Sequence, residues 1–518
     1  MTGAATLGLD FGTGSARVVI VDLTTGGVIG EHAVGYRTGF FDNTTAPEMN
    51  LAPNSAIQDP ADFIDAAEKL LSWATQAAAG LGFEIRTIGV SATSCTILPA
   101  SRDGTPLLHT PVFAGRPHAF AKLWKHHAAD GFAQRITAAR PSFLGRYNNQ
   151  TSSEWSLAKA WQTMAEDPAL WEATERWIDA GDWIVWQLTG GEMRSASHAG
   201  CKNHWQPDLG GYPEAASLEA IQPGLGSWLD KLASPYPVDT SAGPLTRRWQ
   251  KATGIGATAL VGVAMVDAEA AVPGSDVNTP GILVAAAGTS TCHMSLSAQP
   301  TQVAGIESLV HGGAVDGLYD HCTGQAASGD MLAWLSRMLA FGRSASPEAV
   351  LDTLVRELER SASPSPIQVM DWWNGCRTPL GRADLGGIIA NVRTTTAPVD
   401  IYRAMLEAGA MGMRYAYGLH CQAGPIHEVR ITGGMARFPA IMQIYADILG
   451  QTVRANSTVL GSARGAAISA AKAARWVVPA SLGYTDYEPR QNERYAEHYE
   501  RYSQRLEQAS ASPSRRYA

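Results

Sequence analysis

The chain has 518 residues, 45% of them hydrophobic and 17% charged, with a formal net charge of −8. That length fills two large cores of roughly 200–250 residues each. The mildly acidic balance supplies neither a basic field for nucleic acid nor a Lys/Arg cluster for a membrane surface. Cys95, Cys201, Cys292, Cys322, Cys376 and Cys421 are scattered without a CxxC pair, which fits reduced thiols rather than a disulfide framework or a zinc site. The start, MTGAATLGLDFG, lacks a basic n-region, and no window approaches the roughly 20 apolar residues that span a bilayer. A cytoplasmic protein is expected.

The first informative stretch, Leu7 to Asp22, reads LGLDFGTGSARVVIVD. Apolar residues lead into Asp10, a Gly-Thr-Gly turn follows at Gly12 to Gly14, and a β-branched run from Val18 to Val21 closes it. Two strands joined by a tight glycine turn are expected. Such a turn exposes backbone N–H groups that suit a phosphate, and Asp10 at the strand end is placed to hold magnesium or its water. The alternative is an ordinary hairpin with Asp as a turn residue. After a polar loop from Thr38 to Asn54, Asp59-Pro60 opens a helix, with Asp as N-cap and Pro at the first helical position. Phe63, Ala66, Ala67, Leu70, Leu71 and Ala74 form its apolar face.

Ile85 to Val90 reads as a buried strand running into the polar cluster Ser91 to Thr96, where the carboxyl end of a strand offers ligand contacts or a satisfied turn. Trp124-Lys125-His126-His127 is expected to begin a helix, and its His pair lacks a third ligand at metal spacing. Ser152-Ser153-Glu154-Trp155 reads as a helix start, and Ile178 to Leu188 as a buried helix entered through Asp179 to Asp182. Lys202 stands in a small-residue passage, either as an anion or substrate contact or as a solvent-exposed side chain.

Leu260 to Val266 is an apolar strand ending in Asp267, a carboxylate suited to chemistry at a cleft between domains or to capping a helix. The domain boundary falls near residue 275, in the link Pro273 to Gly281. Beyond it, LVAAAGTSTCHMSL from Leu283 repeats the strand–Gly-Thr turn–strand pattern. Thr13 aligns with Thr289 and Asp10 with Ala286, so only the first copy keeps the carboxylate. Two related hairpins suggest a duplicated domain with a nucleotide between the halves. Gly324 to Asp330 enters a helix, Asp371 to Arg377 forms a polar-aromatic turn, and Ile401 to Gly418 is a helix rich in Ala, Gly and Met. Val429 to Thr432 then runs into Gly433-Gly434 and a helix from Pro439, glycines that let a flat base approach the backbone. Ala463 to Ala467 begins a small-residue helix. In the tail, Tyr495, Tyr499, Tyr502 and Leu506 share one helical face that should dock on the body, and Ser510 to Ala518 are expected to be disordered.

No GxxxxGK[ST] loop is present, and Arg17 stands where a dinucleotide fingerprint needs its third glycine. What remains is Asp10 with Gly-Thr-Gly, a second Gly-Thr-Ser hairpin and a late Gly-Gly turn, in the order of the actin-like ATPase fold. The chain resembles the FGGY carbohydrate kinases and, within them, the L-ribulokinases. The likeness covers nearly the whole chain. It rests on SATSCTILPASRDGTPL from Ser91, SSEW from Ser152, DAGDWIVWQLTG from Asp179, AAAGTSTCHM from Ala285, DWWNGCRTP from Asp371, ITGGMARFPAIMQIYAD from Ile431 and ARGAAISAA from Ala463.

The resemblance implies an α/β fold of two ribonuclease-H-like lobes around a central cleft. Residues 1–275 would form the sugar-binding lobe, 276–480 the ATP-binding lobe and 481–518 a helix and tail. It implies ATP and magnesium as cofactors, a small sugar or polyol as substrate, a homodimer by family habit, and neither nucleic-acid nor membrane partners. Asp267 matches the family's catalytic base and Asp10 the carboxylate that organises magnesium. Thr13, Gly14, Ser15, Gly288, Thr289 and Ser290 match the phosphate-cradling hairpins. Gly433, Gly434 and Arg437 match the adenosine turn, with Asn374 and Arg377 in a neighbouring motif. Lys202 matches a sugar-contacting lysine, Ser94 a small sugar-pocket residue and Trp124 the aromatic wall.

Five departures accompany these matches. Cys322 stands where ribulokinases carry a glutamate, and Ser91-Ala92 replaces Asp-Phe or Asp followed by a small residue. Glu269 replaces a histidine, His126 a frequent aspartate, and Asn148-Asn149 a Gly-Gly pair. A lost carboxylate contact to a sugar hydroxyl removes roughly 1.5–3 kcal/mol, enough to change the preferred substrate. A ketopentose such as L-ribulose is therefore expected, with another ketose or a sugar alcohol such as ribitol, xylitol or erythritol as the alternative. An actin-like ATPase without a sugar, or a sugar-binding regulator with a decayed site, are the readings from other classes.

Overall fold

The structure is a computed structural model describing residues 3–342, 344–360, 363–456 and 460–512. Period-two alternation sends Ala5, Leu7 and Leu9 of β1 (Gly3–Phe11) to one face, where they are fully buried. β2 (Ser15–Asp22) folds back antiparallel, pairing Leu9 with Val18, and β3 (Val28–Gly35) continues the meander. β4 (Phe83–Ala92) joins β1 in parallel, setting Ser91 beside Asp10. β5 (Leu260–Gly262) and β6 (Met265–Val266) then pair in parallel with β4. Helix α1 (Ala61–Gly80) covers the β1–β2 face with Phe63, Ala66, Leu70 and Ala74. It begins one residue later than expected, because Pro60 takes the cap position while Asp59 accepts the Ala61 N–H.

A second, five-stranded sheet combines Phe40–Phe41 and Ile57–Gln58, which precede β4, with three short strands between β4 and β5; α2 (Ser156–Glu166) and α3 (Ala196–Lys202) lie in the same insertion, and α4 (Asp267–Gly274) follows β6. The C-terminal half repeats the scheme. β7 (Ile282–Ala287), β8 (Thr291–Ser297) and β10 (Tyr319–Gln325) form the antiparallel meander, and β9 (Ser308–His311) extends it at the edge. β11 (Glu428–Thr432) is parallel to β7, and β12 (Val453–Ala455) is parallel to β11. The orders β3-β2-β1-β4-β5 and β10-β8-β7-β11-β12 match strand for strand, so the expected pair of ribonuclease-H-like halves is present. Helix α5 (Gly329–Ala340) follows β10, α6 (Pro398–Ala423) precedes β11, α7 (Pro439–Leu449) follows it, and α8 (Gly461–Ala473) follows β12.

Along the seam between the two halves, glycines let backbone approach backbone, with small side chains such as Ala463 and Ala467 packed beside them. At Gly465 of α8 a Cβ would stand 1.7 Å from the Ala270 carbonyl of α4, and at Gly8 of β1 a Cβ would stand 1.7 Å from the Ala463 carbonyl. Backbone approach this close admits only glycine. Arg464, fully buried beside the seam, donates to the Gly274 carbonyl and pairs with Asp276 at 2.7 Å.

Several local expectations change. Trp124 to His127 form a turn, and the helix starts at Asp130, because the buried His126 ring accepts the Ala56 N–H and bonds Gln162. The strand expected over Leu260 to Val266 breaks into β5 and β6, with Val263 N–H turned to the Thr240 carbonyl. A short strand, Arg176–Asp179, precedes the helix Ala180–Thr189, and the passage around Lys202 is the end of helix α3. The tail stripe docks as expected. Tyr495, Tyr502 and Leu506 of α9 (Asn492–Ala511) are buried, Tyr502 donates to Asp371, and Tyr495 donates to Glu407. The expected disorder from Ser510 meets a helix that continues to Ala511, and residues 513–518 lie outside the described residues. Among the described residues no helix is long and apolar enough to cross a membrane.

Candidate active site

The carboxyl ends of β1, β4, β7 and β11 all open onto one cleft between the halves, which holds about 1890 Å3 of space including its open mouth. Asp10 ends β1, buried, with one carboxylate oxygen accepting from Ser91 Oγ at 2.9 Å and the other 3.6 Å from Arg17. Burial pushes its pKa up, against the pull of Arg17 and Ser91. In the adjoining turn Gly12 N–H bonds the Ser15 carbonyl at 3.0 Å, and Thr13 accepts from Trp124 Nε1 at 2.9 Å.

The second turn is one residue tighter, with Gly288 N–H on the Ser290 carbonyl at 2.9 Å. The start of α5 braces it from below. Ser328 N–H donates to the Thr289 carbonyl, and Gly329 N–H to the Gly288 carbonyl. Gly433 follows β11 with φ 102°, and a Cβ there would lie 2.4 Å from the Ala287 carbonyl. Only glycine lets that loop cross the end of β7.

Asp267 opens α4 and faces the same cleft, its Oδ1 accepting the Ala268 N–H at 2.8 Å. Burial and the negative charge of Asp10 push its pKa up to about 6. Behind it, Ser197 Oγ accepts the Val266 N–H and donates to Glu269. Glu269 and Asp320 form a buried pair across the halves; burial raises both, Asp320 to about 8, and the charge of Asp320 raises Glu269 further. Farther along the cleft, Glu154 lies between Lys202 Nζ at 2.8 Å and Arg377 Nη2 at 3.1 Å. The two cations hold its carboxyl well below the usual range, and Glu154 in turn raises both cations. Lys202 is thus buried and fixed, not solvent-exposed.

Thr13, Gly14, Ser15, Gly288, Thr289, Ser290, Gly433, Gly434, Asp10, Ser94, Trp124, Lys202, Asp267, Cys322 and Arg377 all line this cleft. Asn374 lines an adjoining pocket that shares Trp155, Glu307 and Arg377 with the cleft, and its Nδ2 donates to the Ala326 carbonyl. Arg437 is exposed on the turn Gly434–Arg437 and is not among the residues lining the cleft. Arg17, Trp155, Glu307 and Ser462 also line the cleft, Glu154 lines the adjoining pocket, and all five went unassigned in the sequence. Arg17 had a signal, since hairpin register sets it opposite Asp10. Glu154 sat inside SSEW, where it read as a helix start.

Among the described residues no cluster of three or more His, Cys, Asp or Glu side chains forms a metal cage. Magnesium does not need one. It takes one or two carboxylates and completes its shell with phosphate oxygens and water. The buried Asp10 carboxylate beside the phosphate-type turns fits that donor set.

The fold and this cleft define a nucleotide-dependent enzyme of the actin-like class. The profile of the FGGY family of carbohydrate kinases, C-terminal domain, matches residues 283–474. The ribulokinase of Mycolicibacterium smegmatis is 37% identical over 485 residues, covering 90% of this chain and 85% of that protein. The ribulokinase of Anoxybacillus flavithermus is 36% identical over 484 residues, with coverage of 90% and 85%. A ligand-bound xylulose kinase of Lactobacillus acidophilus shares the fold with a TM-score of 0.81 at 15% identity, covering 98% of this chain and 99% of that one. Plasmodium falciparum glycerol kinase with ADP shares it with a TM-score of 0.79 at 13% identity, covering 99% of each. The chain belongs to the FGGY family of carbohydrate kinases and is an ATP-dependent sugar kinase.

Proposed function

We propose that the chain transfers the γ-phosphoryl group of ATP to a hydroxyl of ribulose, with L-ribulose the first candidate and Asp267 the general base. The observation that carries this reading is Asp267 itself. It shares one cleft with both glycine turns, and a pKa pushed to about 6 suits a base working near neutral pH. As the sugar oxygen bonds phosphorus, its proton passes to Asp267 and the bond to the ADP oxygen breaks. Thr13, Gly14 and Ser15 from one half and Gly288, Thr289 and Ser290 from the other direct backbone N–H groups at the phosphates. Gly433 and Gly434 leave a flat face for adenine, while Ser94, Trp124 and Lys202 wall the sugar. Magnesium, held through Asp10, would neutralise phosphate charge. Closure of the halves would exclude water from the transfer.

The relatives' printed activity supports ribulose, and the Cys322 thiol in the cleft favours one alternative, a kinase for another ketose or a sugar alcohol. We read residues 1–275 and 276–480 as the lobes and 481–518 as a docking helix and tail. The enzyme is expected to act in the cytoplasm as a homodimer, which light scattering would check. ADP release measured against ketopentoses, pentitols, tetritols and glycerol tests the reaction. The expected result is turnover greatest with ribulose, and its abolition in Asp267→Asn while ATP still binds. Sugar-independent ATP hydrolysis unchanged in Asp267→Asn would overturn the reading.

A further inference from the structure

The sugar end of the cleft carries a carboxylate that no motif in the sequence singles out. Glu307 lies at the start of β9, its N–H bonded to the Cys322 carbonyl at 2.9 Å, and the next residue, Ser308, pairs with Cys322 in the sheet. Its side chain is 16% exposed and lines both the main cleft and the adjoining pocket. The nearest cation contact is Arg377 Nε at 3.9 Å, beyond hydrogen-bond range. Among the described residues no hydrogen bond to the Glu307 carboxylate is formed. Its neighbours differ in this respect, since Lys202 and Arg377 are both engaged by Glu154.

An ionised carboxylate offers about four acceptor positions. Glu307 keeps these open toward a half-enclosed cleft, which costs solvation unless a donor arrives. The other groups flanking it there are the thiols of Cys201, Cys292 and Cys322, which are weak donors and poor acceptors. A polyhydroxylated ligand beside Asp267 and Lys202 therefore finds one strong acceptor on this wall.

We propose that Glu307 accepts a hydrogen bond from a sugar hydroxyl other than the one phosphorylated, and so determines which ketose or polyol is preferred. The inference rests on the kinase reading above. It assigns the carboxylate missing at Cys322 to the neighbouring strand, one side chain away across the sheet. The recognised chemistry is a hydroxyl donor on a secondary or terminal carbon of an uncharged sugar.

The test uses the full-length wild-type enzyme, Glu307→Gln, Glu307→Asp and Glu307→Ala, with L-ribulose and its 1-deoxy, 3-deoxy and 4-deoxy analogues. Glu307→Gln and Glu307→Ala should raise the KM for L-ribulose about 10- to 100-fold, the scale of a charged hydrogen bond. The KM for ATP should stay within about twofold. Glu307→Asp, which retracts the charge by one methylene, should recover part of the loss. For one deoxy analogue the wild-type penalty should vanish in Glu307→Ala, because the partner hydroxyl is already absent. A structural role would instead weaken every analogue equally and shift the ATP KM, and that outcome overturns the assignment. Equal KM values in wild type and Glu307→Gln overturn it too. If wild type turns over no sugar of the panel, the ribulose reading fails and the assignment of Glu307 to a ribulose hydroxyl fails with it. If Glu307→Gln does not fold, the Glu307→Asp and wild-type analogue data decide.

Discussion

Asp267 gives a prediction in which activity and stability move in opposite directions. Its carboxyl pKa rises from 3.8 to about 6 in the folded protein. The fold therefore disfavours the ionised form, and stability contributed by this site is lost as pH rises from 3.8 through 6. At about 1.36 kcal/mol per unit, the shift costs the native state about 3 kcal/mol at pH 8 and under about 1 kcal/mol at pH 4. Asp267→Asn removes the titration and keeps the shape. Relative to wild type it should be more stable by up to about 3 kcal/mol at pH 8, with most of the gain gone at pH 4. Urea unfolding of both proteins at the two pH values, without nucleotide or magnesium, measures the difference. The same variant should lose turnover, and the wild-type kcat/KM should fall as pH drops below about 6. A stability difference that does not change with pH, or a destabilised variant at pH 8, would refute the electrostatic account of the base.

Four further outcomes follow from the surroundings of named residues. Glu154→Ala strands two buried cations, Lys202 and Arg377, and should cost about 3–5 kcal/mol in denaturant unfolding; Glu154→Ala combined with Lys202→Ala should lose less than the sum of the single losses. Gly465→Ala drives a Cβ to 1.7 Å from the Ala270 carbonyl and should destabilise. Gly418→Ala in α6, with open space around it, should gain about 0.5–1 kcal/mol. Tyr502→Phe removes a 2.8 Å hydrogen bond from the buried Asp371 and should cost about 1–3 kcal/mol, read by thermal unfolding with calorimetry.

The features legible in the sequence are those that local chemistry dictates. Gly12-Thr13-Gly14 and Gly288-Thr289-Ser290 announce their turns because small residues between two apolar strand runs mark a tight reversal whatever surrounds them. Asp267 was legible because a carboxylate directly after an apolar strand meets a cleft in this class of sheet. Arg437 marks the limit of motif transfer: the motif reaches the turn, yet the side chain is exposed. What stayed hidden depends on partners far away along the chain. Glu154 meets Lys202 and Arg377 only after folding, and Glu307 gains its setting from Cys322 across a strand pair. His126 shows the opposite failure, in which a long-range bond to Ala56 and Gln162 overrides a stretch that reads locally as a helix start.

The duplication also explains why the two halves are not chemically equal. Their sheets match in strand order, and a glycine N–H closes each turn onto a downstream serine carbonyl, yet Asp10 corresponds to Ala286 at the equivalent site. Asp10 already raises Asp267 by repulsion. A third carboxylate on the opposite turn would push both further from ionisation and would repel a polyphosphate bound between the turns. On the reading proposed above, the anionic side would hold magnesium and the neutral side, made of backbone N–H groups, would meet the phosphates.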